Sequence, residues 1–215
     1  MSESSKSYFR TVEAAELVAD QTQGKLQFVT VKSKSLAGRG DITIYTPTQF
    51  TSEKPLPVIL LLHGVYGSHW SWAMQGLAHT TLQSMIDAGE IPPMIIAMPS
   101  DGLWGDGSGY LEHSGKNFEQ WIVNDVRQAV SEVTGNKIDA PHYISGLSMG
   151  GYGAMRLGAK YPQIFRAFSG HSSITDLEQM RLFVEEDISN YQSNNSSDHS
   201  VLQTILDNLS SLQPF

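Results

Sequence analysis

The chain has no cysteine among its 215 residues, which excludes a disulfide framework, a thiol nucleophile and any thiolate metal site. It also lacks a long apolar run. The longest purely aliphatic stretch, Val58 to Leu62, is far short of the ~20 residues that cross a bilayer. Positive charge is scarce: 14 Lys and Arg against 22 Asp and Glu leave a net charge of -8. Nucleic acid and anionic membranes would be approached against repulsion, so neither is an expected partner. The deficit is uneven, because residues 176–215 carry Asp176, Glu178, Glu185, Glu186, Asp187, Asp198 and Asp207 against Arg181 alone. That stretch reads as a solvated face or the acidic rim of a cleft. The opening residues lack the apolar core of a signal peptide, and a cytoplasmic location is the expectation.

What is present is a 40% hydrophobic chain, enough for one well-buried domain and short for two. Leu26 to Val31 and Ile42 to Tyr45 read as an antiparallel opening pair around a Gly38-Arg39-Gly40-Asp41 turn. Val58 to Leu62 and Met94 to Met98 are unbroken apolar runs, as in strands buried on both faces of a parallel sheet, and Tyr143 to Leu147 continues the series. A helical stripe of Phe118, Trp121, Ile122, Val126, Ala129, Val130 and Val133 has Asn117 as its cap and Gly135 as its stop. Another helix is expected from Gly150 to about Tyr161-Pro162, then a strand over Ile164 to Ser169. Beyond Gly170 the alternation is lost. Leu177, Met180, Phe183 and Val184 read as one amphipathic helix, and Val201 to Leu209 as a second behind an Asp198 cap, with a loop over Ser189 to Ser197. The pattern is α/β with a mostly parallel sheet.

The strongest chemical signal is Gly146-Leu147-Ser148-Met149-Gly150, a G-x-S-x-G turn between an expected strand and an expected helix. Such an elbow presents a serine hydroxyl for covalent catalysis, and its flanking glycines let strand and helix approach closely. Acyl transfer also needs donors for the negative charge that grows on the carbonyl oxygen. The N–H of Met149, directly after the serine, is one. The N–H of Val65, in His63-Gly64-Val65-Tyr66-Gly67 after the Val58 to Leu62 strand, is the other.

These two motifs, with Trp72 after the first and Tyr152-Gly153-Ala154 after the second, resemble the esterase D and antigen 85 group of α/β-hydrolases, which includes S-formylglutathione hydrolases and tributyrin-type esterases. The similarity covers roughly Leu26 to Ser172. It implies an α/β-hydrolase fold, a mostly parallel twisted sheet with helices on both faces, and hydrolysis of short acyl esters or thioesters without a cofactor. Ser148 would be the nucleophile, and Val65 and Met149 would form the oxyanion hole. Residues 1–25 read as an extension, 26–172 as the core and 173–215 as a helical, cap-like segment. In the family the catalytic acid follows the seventh strand and the histidine the eighth. No residue here matches either, so the chain is expected to lack the last two strands and to be nearly inactive. A non-catalytic ligand-binding module and a truncated or interrupted esterase both fit that gap.

His171, at the end of the expected sixth strand, lines the acyl pocket or a polar rim. As a base it would need Asp176 to orient it. His63 is expected to orient the oxyanion loop. The glycine-rich loop from Ser100 to Tyr110 would place Trp104, and Tyr110 in one reading, near the substrate. Tyr66 is a third substrate-binding candidate. Asp101, Asp106 and Glu112 fail the calcium-loop spacing, and the Walker lysine and the third dinucleotide glycine are missing. The expected partner is a small-molecule ester or thioester, with a homo-oligomer left open and no metal.

Overall fold

The computed structural model describes residues 24–51, 53–102, 105–191 and 196–212. All but the last two residues of the expected N-terminal extension therefore lie outside the described residues. Strands β1 (Lys25–Ser33), β2 (Gly38–Thr46), β3 (Val58–Leu62) and β4 (Ile95–Pro99) come first, with helices α1 (Ser71–Met74) and α2 (Ala78–Asp87) between β3 and β4. A two-residue pair, β5 (Glu112–His113) and β6 (Lys116–Asn117), leads into α3 (Phe118–Gln120), a π-turn over Trp121–Val126 and α4 (Arg127–Thr134). Then follow β7 (His142–Leu147), α5 (Met149–Lys160), β8 (Phe165–His171) and, after short 3-10 turns, α6 (Val201–Asn208).

Six strands form one mixed sheet in the order β1-β2-β4-β3-β7-β8. Antiparallel pairing joins β1 to β2 and β2 to β4, whereas β4, β3, β7 and β8 run parallel. Parallel strands need crossovers, and the helices that make them cover both faces. On one face Tyr45, Leu61, Ile96 and Met98 pack with Ala73, Leu82 and Ile86 of α1 and α2. On the other, Ile44, Leu60, Ala97 and Ile144 pack with Trp121, Val126 and Leu157. Successive strand residues thus serve opposite layers, and neither face can be polar.

Several sequence expectations change here. The first hairpin turns at residues 34–37, closed by Ala37 N–H on Lys34 O at 3.1 Å, and Gly38 to Asp41 is strand. Gly40 lies in strand because the Trp121 ring occupies the place of a side chain. Asn117 caps the following helix as expected, its side chain accepting from Gln120 N–H at 2.8 Å, and Gly135 ends it at φ 77°. The expected helix around Leu177 is a 3-10 segment, Leu177–Leu182, and α6 is capped by Ser200 rather than Asp198. Asp198 is buried instead. On its outer side β8 has no partner strand among the described residues. Helix α6 packs on α5, and a cleft of about 1110 Å³ runs along β8, bordered by Arg127, Phe168, Asn208 and Leu212. Among the described residues, no helix is long and apolar enough to cross a membrane.

Candidate active site

Ser148 stands between β7 and α5 with φ 55° and ψ -118°, a conformation that costs a non-glycine residue free energy and persists only when its surroundings enforce it. They do so on both sides. Its N–H donates to His171 O at 2.9 Å, and its carbonyl accepts the Tyr152 N–H at 3.1 Å. A Cβ on Gly146 would collide with the Gly150 carbonyl, and one on Gly150 with the carbonyl oxygens of Leu62 and His63. Only bare backbone lets β3, β7 and the first turn of α5 meet. The hydroxyl is half-buried and has no hydrogen-bond partner among the described residues.

The loop after β3 lies against this turn, since a Cβ on Gly64 would be 3.3 Å from that of Ser148. Its backbone is fixed almost atom by atom. The Trp72 indole N–H donates to Leu62 O and the Tyr110 hydroxyl to His63 O, both at 3.0 Å. His63 Nε2 accepts the Asp101 N–H at 3.0 Å, so the ring proton is on Nδ1, which donates to Gly64 O at 2.7 Å. The Tyr66 N–H goes to Asp106 O at 3.1 Å, and the Gly67 N–H to Gly64 O at 3.2 Å. The N–H groups of Val65 and Met149 find no acceptor among the described residues. Both residues border Gly107, where a Cβ would be 2.5 Å from Met149 Sδ and 3.4 Å from Val65 Cγ1. Met149 follows Ser148 in the chain and Val65 follows Gly64, which lies against Ser148, so both unspent donors belong to segments that flank the unspent hydroxyl.

The remaining candidates divide. The His171 ring hydrogen-bonds Ser145 Oγ at 3.1 Å rather than Ser148, and its edge meets Trp72 at 6.2 Å between centroids. Asp176 does not orient it, because its carboxylate caps a 3-10 turn through Glu178 N–H at 2.9 Å. Tyr66, at φ 60°, donates its hydroxyl to Phe183 O at 3.1 Å, which ties the loop to the acidic segment. Trp104 lies outside the described residues. Tyr110 is fully buried, and burial pushes its phenol well above the ordinary range, so it is a permanent donor to His63 O rather than a substrate contact. No cluster of His, Asp and Glu suited to a metal occurs among the described residues. Sequence reasoning missed Arg156, which is buried on α5 with Glu119 and Asp198. An arginine four residues after Tyr152, on the same helix face, was the available signal.

Residues 33–208 match the family Esterase, described as "Putative esterase". The chain belongs to the Esterase family. An endo-1,4-beta-xylanase/feruloyl esterase of Xylanibacter ruminicola is 27% identical over 155 residues, which cover 68% of this chain and 21% of that protein. A solved ferulic acid esterase is 28% identical with a TM-score of 0.60, covering 67% of this chain and 58% of its own. The S-formylglutathione hydrolase of Agrobacterium tumefaciens, at 15% identity and a TM-score of 0.69, covers 88% of this chain and 73% of its own, and shows the α/β-hydrolase fold. The chain thus spans about a fifth of the length of that xylanase/feruloyl esterase.

Proposed function

We propose that Ser148 is the nucleophile of a carboxylesterase that works through an acyl-serine intermediate, with Val65 and Met149 N–H as the oxyanion hole. The observation that carries this reading is the strained Ser148 turn with both donors left unspent beside it. Ser148 Oγ would attack the ester carbonyl as its proton passes to a base, the carbonyl oxygen would take the negative charge, and the C–O bond would break with the alcohol carrying that proton away. Water would then release the acid and restore the serine. No described histidine or carboxylate hydrogen-bonds Ser148 Oγ, so among the described residues the serine proton has no acceptor.

Residues 1–215 should consequently turn over p-nitrophenyl acetate only slowly, and Ser148→Ala should change that rate little. In a well-studied serine protease, the oxyanion hole and binding alone retain roughly a thousand- to ten-thousand-fold over water after the triad is lost. Free imidazole, added as an external base, should raise the Ser148-dependent rate, and Ser148→Ala should abolish that increase. Robust Ser148-dependent turnover without imidazole would mean that an internal base exists, with His171 the first to test.

An aromatic acyl group is favoured over a thioester as the substrate. The relatives with 27% and 28% identity are named for feruloyl or ferulic acid ester cleavage, whereas the S-formylglutathione hydrolases share the fold at 15% and 16% identity. Trp72 and His171, edge to face beside the elbow, and Tyr66 next to Val65 would supply the aromatic wall. With imidazole present, methyl ferulate hydrolysis outpacing S-formylglutathione hydrolysis supports this preference; the reverse order refutes it.

A further inference from the structure

We propose that Arg156 and Tyr110 form a strut that positions the His63 to Val65 backbone, so that two residues remote from the ester set how well the Val65 N–H serves it. The inference rests on the oxyanion reading above and adds positioning residues to it. Arg156 is fully buried on α5, and its guanidinium spreads in three directions. Nη1 donates to Glu119 Oε2 at 2.5 Å and to Asp198 Oδ1 at 3.1 Å, and Nη2 donates to Tyr110 O at 2.5 Å. Tyr110 in turn is fixed at every polar atom. Its N–H donates to Ser108 Oγ at 3.1 Å, its backbone is held at φ 55°, and its hydroxyl donates to His63 O at 3.0 Å. The ring lies flush on Gly153, where a Cβ would be 2.7 Å from Cδ2. On its other side the His63 carbonyl abuts the first turn of α5, where a Cβ on Gly150 would come within 2.6 Å of its oxygen.

The His63 carbonyl is therefore wedged between the Tyr110 hydroxyl and Gly150, and the peptide plane it belongs to leads directly into Gly64 and Val65. A tyrosine that only filled the core would not need a left-handed backbone or an arginine on its carbonyl. Lysine could not replace Arg156, because one ammonium cannot reach Tyr110 O, Glu119 and Asp198 in the same planar fork. Glu119 on α3 and Asp198 in the Ser196–His199 turn hold the far end, so the C-terminal segment is coupled to the oxyanion loop through this arginine.

The test uses the full 215-residue chain, ¹⁵N-labelled, as wild type, Tyr110→Phe, Arg156→Lys and Ser148→Ala. Tyr110→Phe keeps the ring and removes one hydroxyl, which guards against a variant that does not fold. The strut predicts that the Val65 amide shifts and exchanges with solvent about tenfold faster in Tyr110→Phe, while the Met149 amide is unchanged. It further predicts that kcat for imidazole-assisted p-nitrophenyl acetate hydrolysis falls about tenfold with KM unchanged. Arg156→Lys should move the same amide in the same direction. An unmoved Val65 amide in Tyr110→Phe overturns the proposal, and so does an equal shift of Val65 and Met149. If the Val65 amide responds but no variant differs from Ser148→Ala in turnover, the strut stands and the esterase reading fails.

Discussion

At the scale of single residues, the site depends on atoms that are missing. Gly150 faces the carbonyl oxygens of Leu62 and His63, which belong to backbone and cannot swing aside. Gly150→Ala should cost at least ~2 kcal/mol by overpacking and lower Tm by roughly 4–8 °C, with the imidazole-assisted, Ser148-dependent turnover lost; a thermal melt and an ester assay with imidazole check both. His142, buried at the start of β7 with Nδ1 on Ala140 O at 2.6 Å, carries a pH dependence. Burial, reinforced by the nearby Arg127 charge, lowers its pKa from 6.5 to about 4. The folded state thus resists protonation that the unfolded chain accepts. This contribution is fully present above pH 6.5 and is lost as pH falls from there toward 4. Chemical denaturation across that window should show up to ~3 kcal/mol of pH-dependent stability, and His142→Gln should flatten it. An unchanged slope in the variant would assign the dependence to other groups.

At the scale of elements, the parts that follow periodicity or a fixed motif were legible in the sequence, and the parts that depend on distant partners were not. The unbroken apolar runs of β3 and β4 and the Asn117 to Gly135 helix read correctly because each signal is local. The first hairpin did not. Gly38 and Gly40 look like turn residues, yet Gly40 is small in order to admit Trp121, some eighty positions away. The strut failed to show for the same reason: nothing near Arg156 in the chain announces Glu119 or Asp198. Its energetic weight is testable. The guanidinium is charged and its pKa raised, because Glu119 and Asp198 outweigh the burial that opposes the charge. Asp198→Ala removes one of its two buried carboxylates and should cost about 3 kcal/mol or more, releasing the C-terminal segment to proteolysis. By contrast, Asn117→Ala removes only a cap and should cost about 1 kcal/mol.

Across the whole molecule, a sheet buried on both faces meets solvent along one flank. Among the described residues the outer side of β8 has no partner strand, and α6 with the turn after it presents Leu202, Leu206 and Leu209 to solvent, each more than half exposed. Apolar stripes of this kind favour association. Leu206→Lys should raise solubility while altering stability by no more than ~0.5 kcal/mol; a fall in Tm well beyond that would show that Leu206 is packed. The same fold brings the strands β3 and β7 to one edge, where the His63 loop meets Ser148, and the catalytic claim stands on that meeting. Its most direct test is mass spectrometry of the intact 215-residue chain after brief exposure to p-nitrophenyl acetate with imidazole. The account predicts a single acetyl group on the peptide containing Ser148, absent in Ser148→Ala. Acetylation distributed over lysines, equal in both proteins and without any at Ser148, would contradict it.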